Sequence, residues 1–161
     1  MNIFILRHAT AEPRGKDVAE ADRQLTAKGA KDLKRVLRHA RAVGVAPELI
    51  LTSPWTRALD TARMAQKELK DAELVETHSL LPDVPPMRVW KEIQAHRSLK
   101  GIMIVGHEPQ LQHIVAFLLE APLVLDLKKA GIMRIDVTQF DGPRRGILKW
   151  MLTPKLAVRG K

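Results

Sequence analysis

Short apolar runs of β character recur along this chain with amphipathic helical stretches between them, and that alternation restricts the fold more than any other feature. Ile3-Phe4-Ile5-Leu6 reads as a first strand. Thr26 stands where an N-cap belongs, and Ala30, Leu33, Leu37 and Ala40 follow at helical spacing in a helix that ends near Gly44. Leu49 to Thr52 reads as a second strand closed by Ser53-Pro54. A helix over Thr56–Leu69 follows, with Leu59, Ala62, Ala65 and Leu69 facing inward. Leu74 to Thr77 is a short third strand. Pro82, Pro85 and Pro86 forbid regular structure in the next segment, so a loop precedes a helix beginning near Met87. Ile102 to Val105 is the fourth strand; Pro109 suits the first position of a helix whose apolar stripe is Leu111, Ile114, Val115, Leu118 and Leu119. Two last β-type runs, Ile132–Val137 and Ile147–Leu152, flank Asp141-Gly142-Pro143 as a terminal antiparallel hairpin. The expected fold is α/β: a three-layer α/β/α sandwich with a mostly parallel central sheet and a C-terminal antiparallel hairpin. At 161 residues it forms one domain spanning positions 1–161.

The chain contains no cysteine, which excludes disulfides, zinc–thiolate sites, iron–sulfur clusters and thiol nucleophiles. Chemistry must therefore come from His, Asp, Glu, Ser, Lys or Arg. A net charge of +9 favours an anionic partner. With three Trp, three Phe and no Tyr there are few stacking platforms for single-stranded nucleic acid, so phosphate is favoured and no nucleic-acid partner is expected. The first apolar run stops at Arg7, too short for a signal segment or a membrane span, which leads to the expectation of a soluble cytoplasmic protein without a membrane partner. Neither Gly-x-x-x-x-Gly-Lys-Ser/Thr nor Gly-x-Gly-x-x-Gly occurs, and Leu111 stands where His-Glu-x-x-His would need its second ligand. No metal and no cofactor is expected.

Three strand ends carry unusual residues: Arg7-His8 after the first, Ser53 and Arg57 after the second, and Gly106-His107 after the fourth. In an open parallel sheet ligands bind outside the carboxyl ends of the strands, so two histidines and two arginines converge on one cleft if these strands are neighbours. Either residue type alone reads as a solvated or merely hydrogen-bonded side chain. Directly after apolar strands, however, charged side chains have no structural reason to stand. Such a cleft suits phosphoryl transfer through a histidine: a neutral imidazole attacks phosphorus with one nitrogen while the other is held as a donor, and guanidinium forks bind the phosphoryl oxygens.

These residues resemble the signatures of the histidine phosphatase superfamily, the family of phosphoglycerate mutases and related phosphatases. Leu6-Arg7-His8-Ala9-Thr10 is similar to its Arg-His-Gly hallmark, with Ala9 in place of the glycine. Thr52-Ser53-Pro54-Trp55-Thr56-Arg57-Ala58, followed by Thr61-Ala62, resembles the second signature, and Val105-Gly106-His107-Glu108-Pro109 the third. The resemblance implies that His8 becomes transiently phosphorylated, that Arg7 and Arg57 hold the phosphoryl group, and that His107 is the second site histidine. Ser53 enters as a further substrate-binding candidate. Small size and the stretch Asp22-Arg23-Gln24-Leu25-Thr26-Ala27-Lys28-Gly29 look most like the SixA-type branch of phosphohistidine phosphatases. Two positions keep two readings each. Arg23 adds a phosphate contact or is solvated while Thr26 caps a helix; Asp83, in Leu81-Pro82-Asp83-Val84, is the general acid or a turn residue between prolines.

The resemblance implies a metal-independent phosphatase acting on phosphohistidine in a protein. The alternatives are a phosphatase or mutase for small phosphate compounds using the same site, and a non-catalytic phosphate-binding module. A phosphoramidate nitrogen is protonated readily and leaves more easily than an alkoxide, so phosphohistidine depends less on a positioned acid. The basic helix face of Lys31, Lys34, Arg35, Arg38 and Arg41 is a solvated surface or a contact for an acidic protein partner.

Overall fold

In the computed structural model, which describes residues 1–70 and 72–158, the expected alternation is realised as one six-stranded sheet with helices on both faces. The strands are β1 (Asn2–Arg7), β2 (Leu49–Thr52), β3 (Glu73–Glu76), β4 (Gly101–Gly106), β5 (Ile132–Asp136) and β6 (Ile147–Leu152). The helices are α1 (Ala27–Ala42), α2 (Thr56–Leu69), α3 (Pro86–Ala95) and α4 (Gln110–Leu119). The sheet order is β3-β2-β4-β1-β5-β6. The first four strands run parallel, and β5 and β6 close the sheet antiparallel beside β1.

Burial on both faces explains why the central strands are apolar throughout rather than alternating. Ile3 and Ile5 of β1 pack with α3 and α4, while Phe4 and Leu6 pack with α1 and α2. None of the four is more than 2% exposed, and each contributes about 2 kcal/mol by leaving water. The chain runs outward through α1 and α2 on one face, then returns through α3 to insert β4 between β1 and β2. This reversal places the carboxyl ends of β1 and β4 side by side, where a ligand cleft forms in such sheets.

The start of α1 is fixed by local chemistry. Thr26 Oγ1 accepts the Gly29 amide at 2.9 Å, and the Thr26 amide donates to Thr10 O at 2.9 Å. A Cβ on Gly29 would lie 2.2 Å from Thr10 O, so only glycine lets the helix approach the chain leaving β1. The Leu-Thr-x-x-Gly stretch is thus a packing joint beside the site.

Three details depart from the sequence reading. In α2 the inward positions are Arg57, Ala58, Thr61, Ala62, Ala65 and Leu69, whereas Leu59 is half-buried, because the helix turns its first residues toward the cleft. Pro109 is the N-cap of α4 rather than its first residue; the Glu108 carboxylate accepts the Gln112 amide at 3.1 Å and supplies the cap that proline cannot. The last two strands pair antiparallel as expected, yet residues 137–146 connect them through a long loop instead of a tight turn.

Candidate active site

Arg7 is in register with Gly106, so His8 and His107 leave adjacent parallel strands together. Their ring centroids lie 5.1 Å apart, close to the spacing of about 4.8 Å between neighbouring strands. The backbone joins the two exits: the His8 amide donates to Gly106 O at 3.1 Å, and the Ser53 amide from the end of β2 donates to Val105 O at 3.0 Å. Both histidines are buried, His8 being 6% exposed and His107 2%.

Local contacts set the protonation of His8. Its Nδ1 lies 2.7 Å from Ala9 O, a carbonyl that can only accept, so Nδ1 carries the proton and Nε2 keeps its lone pair. Arg57 Nε–H points at that lone pair from 3.3 Å. Burial lowers the His8 pKa from 6.5 to about 3; the Ala9 carbonyl opposes the shift, while Arg57, Arg7 and Lys129 add to it. His8 is a neutral imidazole whose unprotonated Nε2 faces Arg57.

His107 is likewise held at about 3, chiefly by burial and then by His8, Arg57 and Arg7. Its Nε2 lies 2.8 Å from Ser53 Oγ, which accepts the Trp55 amide at 3.3 Å. In the tautomer where Ser53 donates to Nε2, the proton sits on Nδ1, which is buried and has no hydrogen-bond partner among the described residues. That N–H is free for an anionic oxygen. Trp55 packs edge-on to the ring with centroids 4.9 Å apart, and the Arg57 guanidinium lies 4.7 Å over the Trp55 ring.

The arginines are held from behind. Arg7 Nη1 donates to Leu127 O at 2.7 Å, and its Nε is buried with no hydrogen-bond partner among the described residues. Arg57, 4% exposed, sits in the first turn of α2. A cation there opposes the helix dipole, an arrangement that favours a bound anion over the helix itself. Burial lowers the Arg57 pKa, and Glu20 pulls against that shift. Arg57 Nη1 donates to Glu20 O at 2.7 Å, and Arg57 Nη2 lies 3.1 Å from Glu20 Oε1. The same Glu20 oxygen is 2.7 Å from Arg23 Nη1, and Arg23 Nε donates to Glu12 O at 2.7 Å.

A family model for the histidine phosphatase superfamily (branch 1) matches residues 3–81, the span containing Arg7, His8, Ser53 and Arg57. An uncharacterized protein of Picosynechococcus sp. is 32% identical over 142 residues, covering 83% of each chain. The chain belongs to the histidine phosphatase superfamily. This superfamily member is also 25% identical over 170 residues to the phosphohistidine phosphatase SixA homolog of Haemophilus influenzae, a match covering 99% of this chain and 100% of that one. Among solved structures, the protein histidine phosphatase SixA complexed with tungstate superposes with a TM-score of 0.84 at 22% identity, over 96% of this chain and 98% of that one, which shows a shared fold.

The structure of this histidine phosphatase superfamily member accommodates the Ala9 substitution in its hallmark. Ala9 is fully buried, stays outside the positive-φ region, and donates its amide to Thr61 Oγ1 at 3.0 Å, so no glycine is required. Thr61 in turn donates to Arg57 O at 2.7 Å, joining the β1 exit to the first turns of α2. Asp83 stands apart. It is exposed on the loop before α3 and lines a hollow of about 350 Å³ with His78, Ser79 and Arg88, without a hydrogen bond or ion pair to His8, Arg57 or His107. That loop is tied to α4 through Gln110, whose Nε2 donates to Ser79 O at 2.9 Å and Val84 O at 3.0 Å.

Sequence reasoning missed Glu20, Lys129 and the capping role of Glu108. Glu20 lies one helical turn before Arg23, a spacing that signals an ion pair but not its second arginine. The charge of the exposed Lys129, on the loop before β5, adds to the lowering of the His8 pKa, and the Ala130 amide of that loop donates to Arg7 O and His8 O. Among the described residues no group of three or more His, Cys, Asp or Glu is arranged to hold a metal ion, and no helix is long and apolar enough to cross a membrane.

Proposed function

We propose that this protein is a metal-independent phosphatase of the SixA-type branch that removes the phosphoryl group from phosphohistidine on a protein, through a phosphorylated His8. The observation that carries this reading is the state of His8: neutral, with its tautomer fixed by Ala9 O and Nε2 free of its own proton beside two arginines. The match to the SixA homolog across both whole chains supports the choice of branch.

In the first step the His8 Nε2 lone pair attacks phosphorus and the phosphorus–nitrogen bond of the substrate breaks, its electron pair leaving on the substrate imidazole, which takes up a proton from water. Arg7 and Arg57 hold the phosphoryl oxygens, with Arg23 as a further contact. Ser53, whose one proton goes to His107 Nε2, positions that imidazole rather than touching phosphate, and the His107 Nδ1–H stabilises the charge on the equatorial oxygens. Water then attacks phospho-His8, releasing inorganic phosphate and restoring the neutral ring. The leaving imidazole protonates without help, so a site in which Asp83 has no bond to His8, Arg57 or His107 suits a phosphoramidate better than an alkyl ester. Should Asp83 supply the proton, it does so from the loop before α3.

A protein substrate also fits the surface. Lys31, Lys34 and Arg38 on α1 have no ion-pair partner among the described residues, and α1 begins beside the cleft, so an acidic partner surface finds complementary charge next to the site.

The test is the rate at which the purified protein, without added metal, dephosphorylates a phosphohistidine-bearing protein and p-nitrophenyl phosphate, beside His8→Ala. Fast loss of phosphohistidine, slow ester hydrolysis and an inactive variant are expected. Preference for esters would move the substrate to small phosphate compounds; full turnover by His8→Ala would end the reading, and phosphate binding without turnover would identify a binding module.

A further inference from the structure

Arg57 and Arg23 are each anchored by a backbone carbonyl, Glu20 O for Arg57 and Glu12 O for Arg23. Each turns a remaining N–H toward one carboxylate oxygen, Glu20 Oε1, at 3.1 and 2.7 Å. Two guanidinium groups converging on a single anionic oxygen form the seat that a phosphoryl oxygen would need. The seat adjoins the nucleophile, because Arg57 Nε–H is directed at His8 Nε2. Without a ligand, both the arginine fork and the nucleophile's lone pair are therefore satisfied from within the chain.

The carboxylate can leave while the arginines stay. The short helical turn Glu20–Asp22 contains no buried residue, and the Glu20 side chain is 33% exposed, whereas Arg57 behind it is buried. Rotation of the Glu20 side chain into solvent would free Arg57 Nη2 and Arg23 Nη1 and leave both carbonyl anchors in place.

We propose that Glu20 is an internal occupant of the phosphoryl seat, a specificity-determining residue whose carboxylate the substrate must displace. The inference rests on the phosphatase reading above and adds to it a competitor that lowers affinity for phosphate. It also assigns Arg23 to the seat, since the two arginines are joined only through the oxygen that is displaced. By holding Arg57 in the resting position, Glu20 keeps the guanidinium ready while no anion is bound.

The sign of one substitution separates this role from a purely structural one. If Glu20 merely orients Arg57, neutralising it loosens the arginine and weakens anion binding. If it occupies the seat, neutralising it strengthens anion binding. The experiment is titration of inorganic phosphate into the wild type, Glu20→Gln and Glu20→Ala by calorimetry, with KM and kcat measured on a phosphohistidine protein. Both variants should bind phosphate about fivefold more tightly, the equivalent of an ion pair of about 1 kcal/mol, and KM should fall with that constant while Arg23→Ala in the Glu20→Gln background removes the gain. Unchanged or weaker phosphate binding in both variants, with turnover by the wild type intact, overturns the proposal alone. Absence of phosphate binding and turnover in the wild type as well as the variants overturns the phosphatase reading and this proposal together.

Discussion

Arg57 directs its Nε–H at Nε2 of His8 across 3.3 Å, so the group that would hold the phosphoryl oxygens also touches the nitrogen that would attack phosphorus. Lysine in its place keeps the charge but loses the fork, the contact to Glu20 O and the packing over Trp55. Arg57→Lys should lower kcat/KM for phosphohistidine by about a hundredfold, with folding intact by circular dichroism. Near-normal turnover would show that the fork is not used.

Stability should fall as the solution is acidified below the ordinary histidine range. Both site imidazoles are held at about 3 in the folded chain against 6.5 when unfolded, so between these values the unfolded state binds protons that the folded state does not. The contribution is complete above pH 6.5 and is lost as pH drops toward 3, by up to about 1.4 kcal/mol per pH unit for each histidine. Urea denaturation at pH 7.5, 6 and 5 measures the slope, and His107→Gln should make it shallower. An unaltered slope would show that His107 is not buried neutral.

Gly29→Ala should destabilise the fold by about 1–3 kcal/mol, because the new methyl would meet Thr10 O at 2.2 Å and force α1 away from the β1 exit. Helix propensity alone predicts the opposite sign, since alanine is the better helix former. Denaturant midpoints decide between them.

Asp83→Asn should leave phosphohistidine turnover within about threefold of wild type, because a leaving imidazole needs little help from a positioned acid. The same variant assayed on p-nitrophenyl phosphate and on an alkyl ester reports whether the carboxylate reaches an oxygen leaving group. A loss of phosphohistidine turnover by a hundredfold would make Asp83 part of the proton path.

Charge on α1 should be felt by a protein substrate and not by a small one. Replacing Lys31, Lys34 and Arg38 with glutamate should raise KM for a phosphohistidine protein several-fold at low salt, and added salt should shrink the difference. An equal effect on p-nitrophenyl phosphate would trace the change to the site instead.

Much of this architecture was legible because its determinants are local. The bounds of β2 and α2 follow from Leu49–Thr52 and from the apolar repeat that begins after Ser53-Pro54, and Thr26 caps α1 as its side chain dictates. His8, Arg57 and His107 could be read as neighbours because strand ends in a parallel sheet share one edge. What escaped depends on long-range approach. The loop from Glu12 to Gln24 has no periodicity, so nothing in its composition tells that Glu20 reaches Arg57, 37 positions away. Arg23, read as either a phosphate contact or a solvated residue, is held by Glu12 and Glu20 at the edge of the cluster. Leu59 was read as inward because apolar spacing ranks it above Ala58, whereas the site requires α2 to turn Arg57 and Ala58 inward instead.

The register that sets Arg7 opposite Gly106 makes the sheet a calliper for the two imidazoles. Their separation is a property of main-chain hydrogen bonding, which loop substitutions do not alter. The rim built from residues 12–24 and the segment before α3 can therefore be exchanged to suit a different leaving group while the jaws keep their gap.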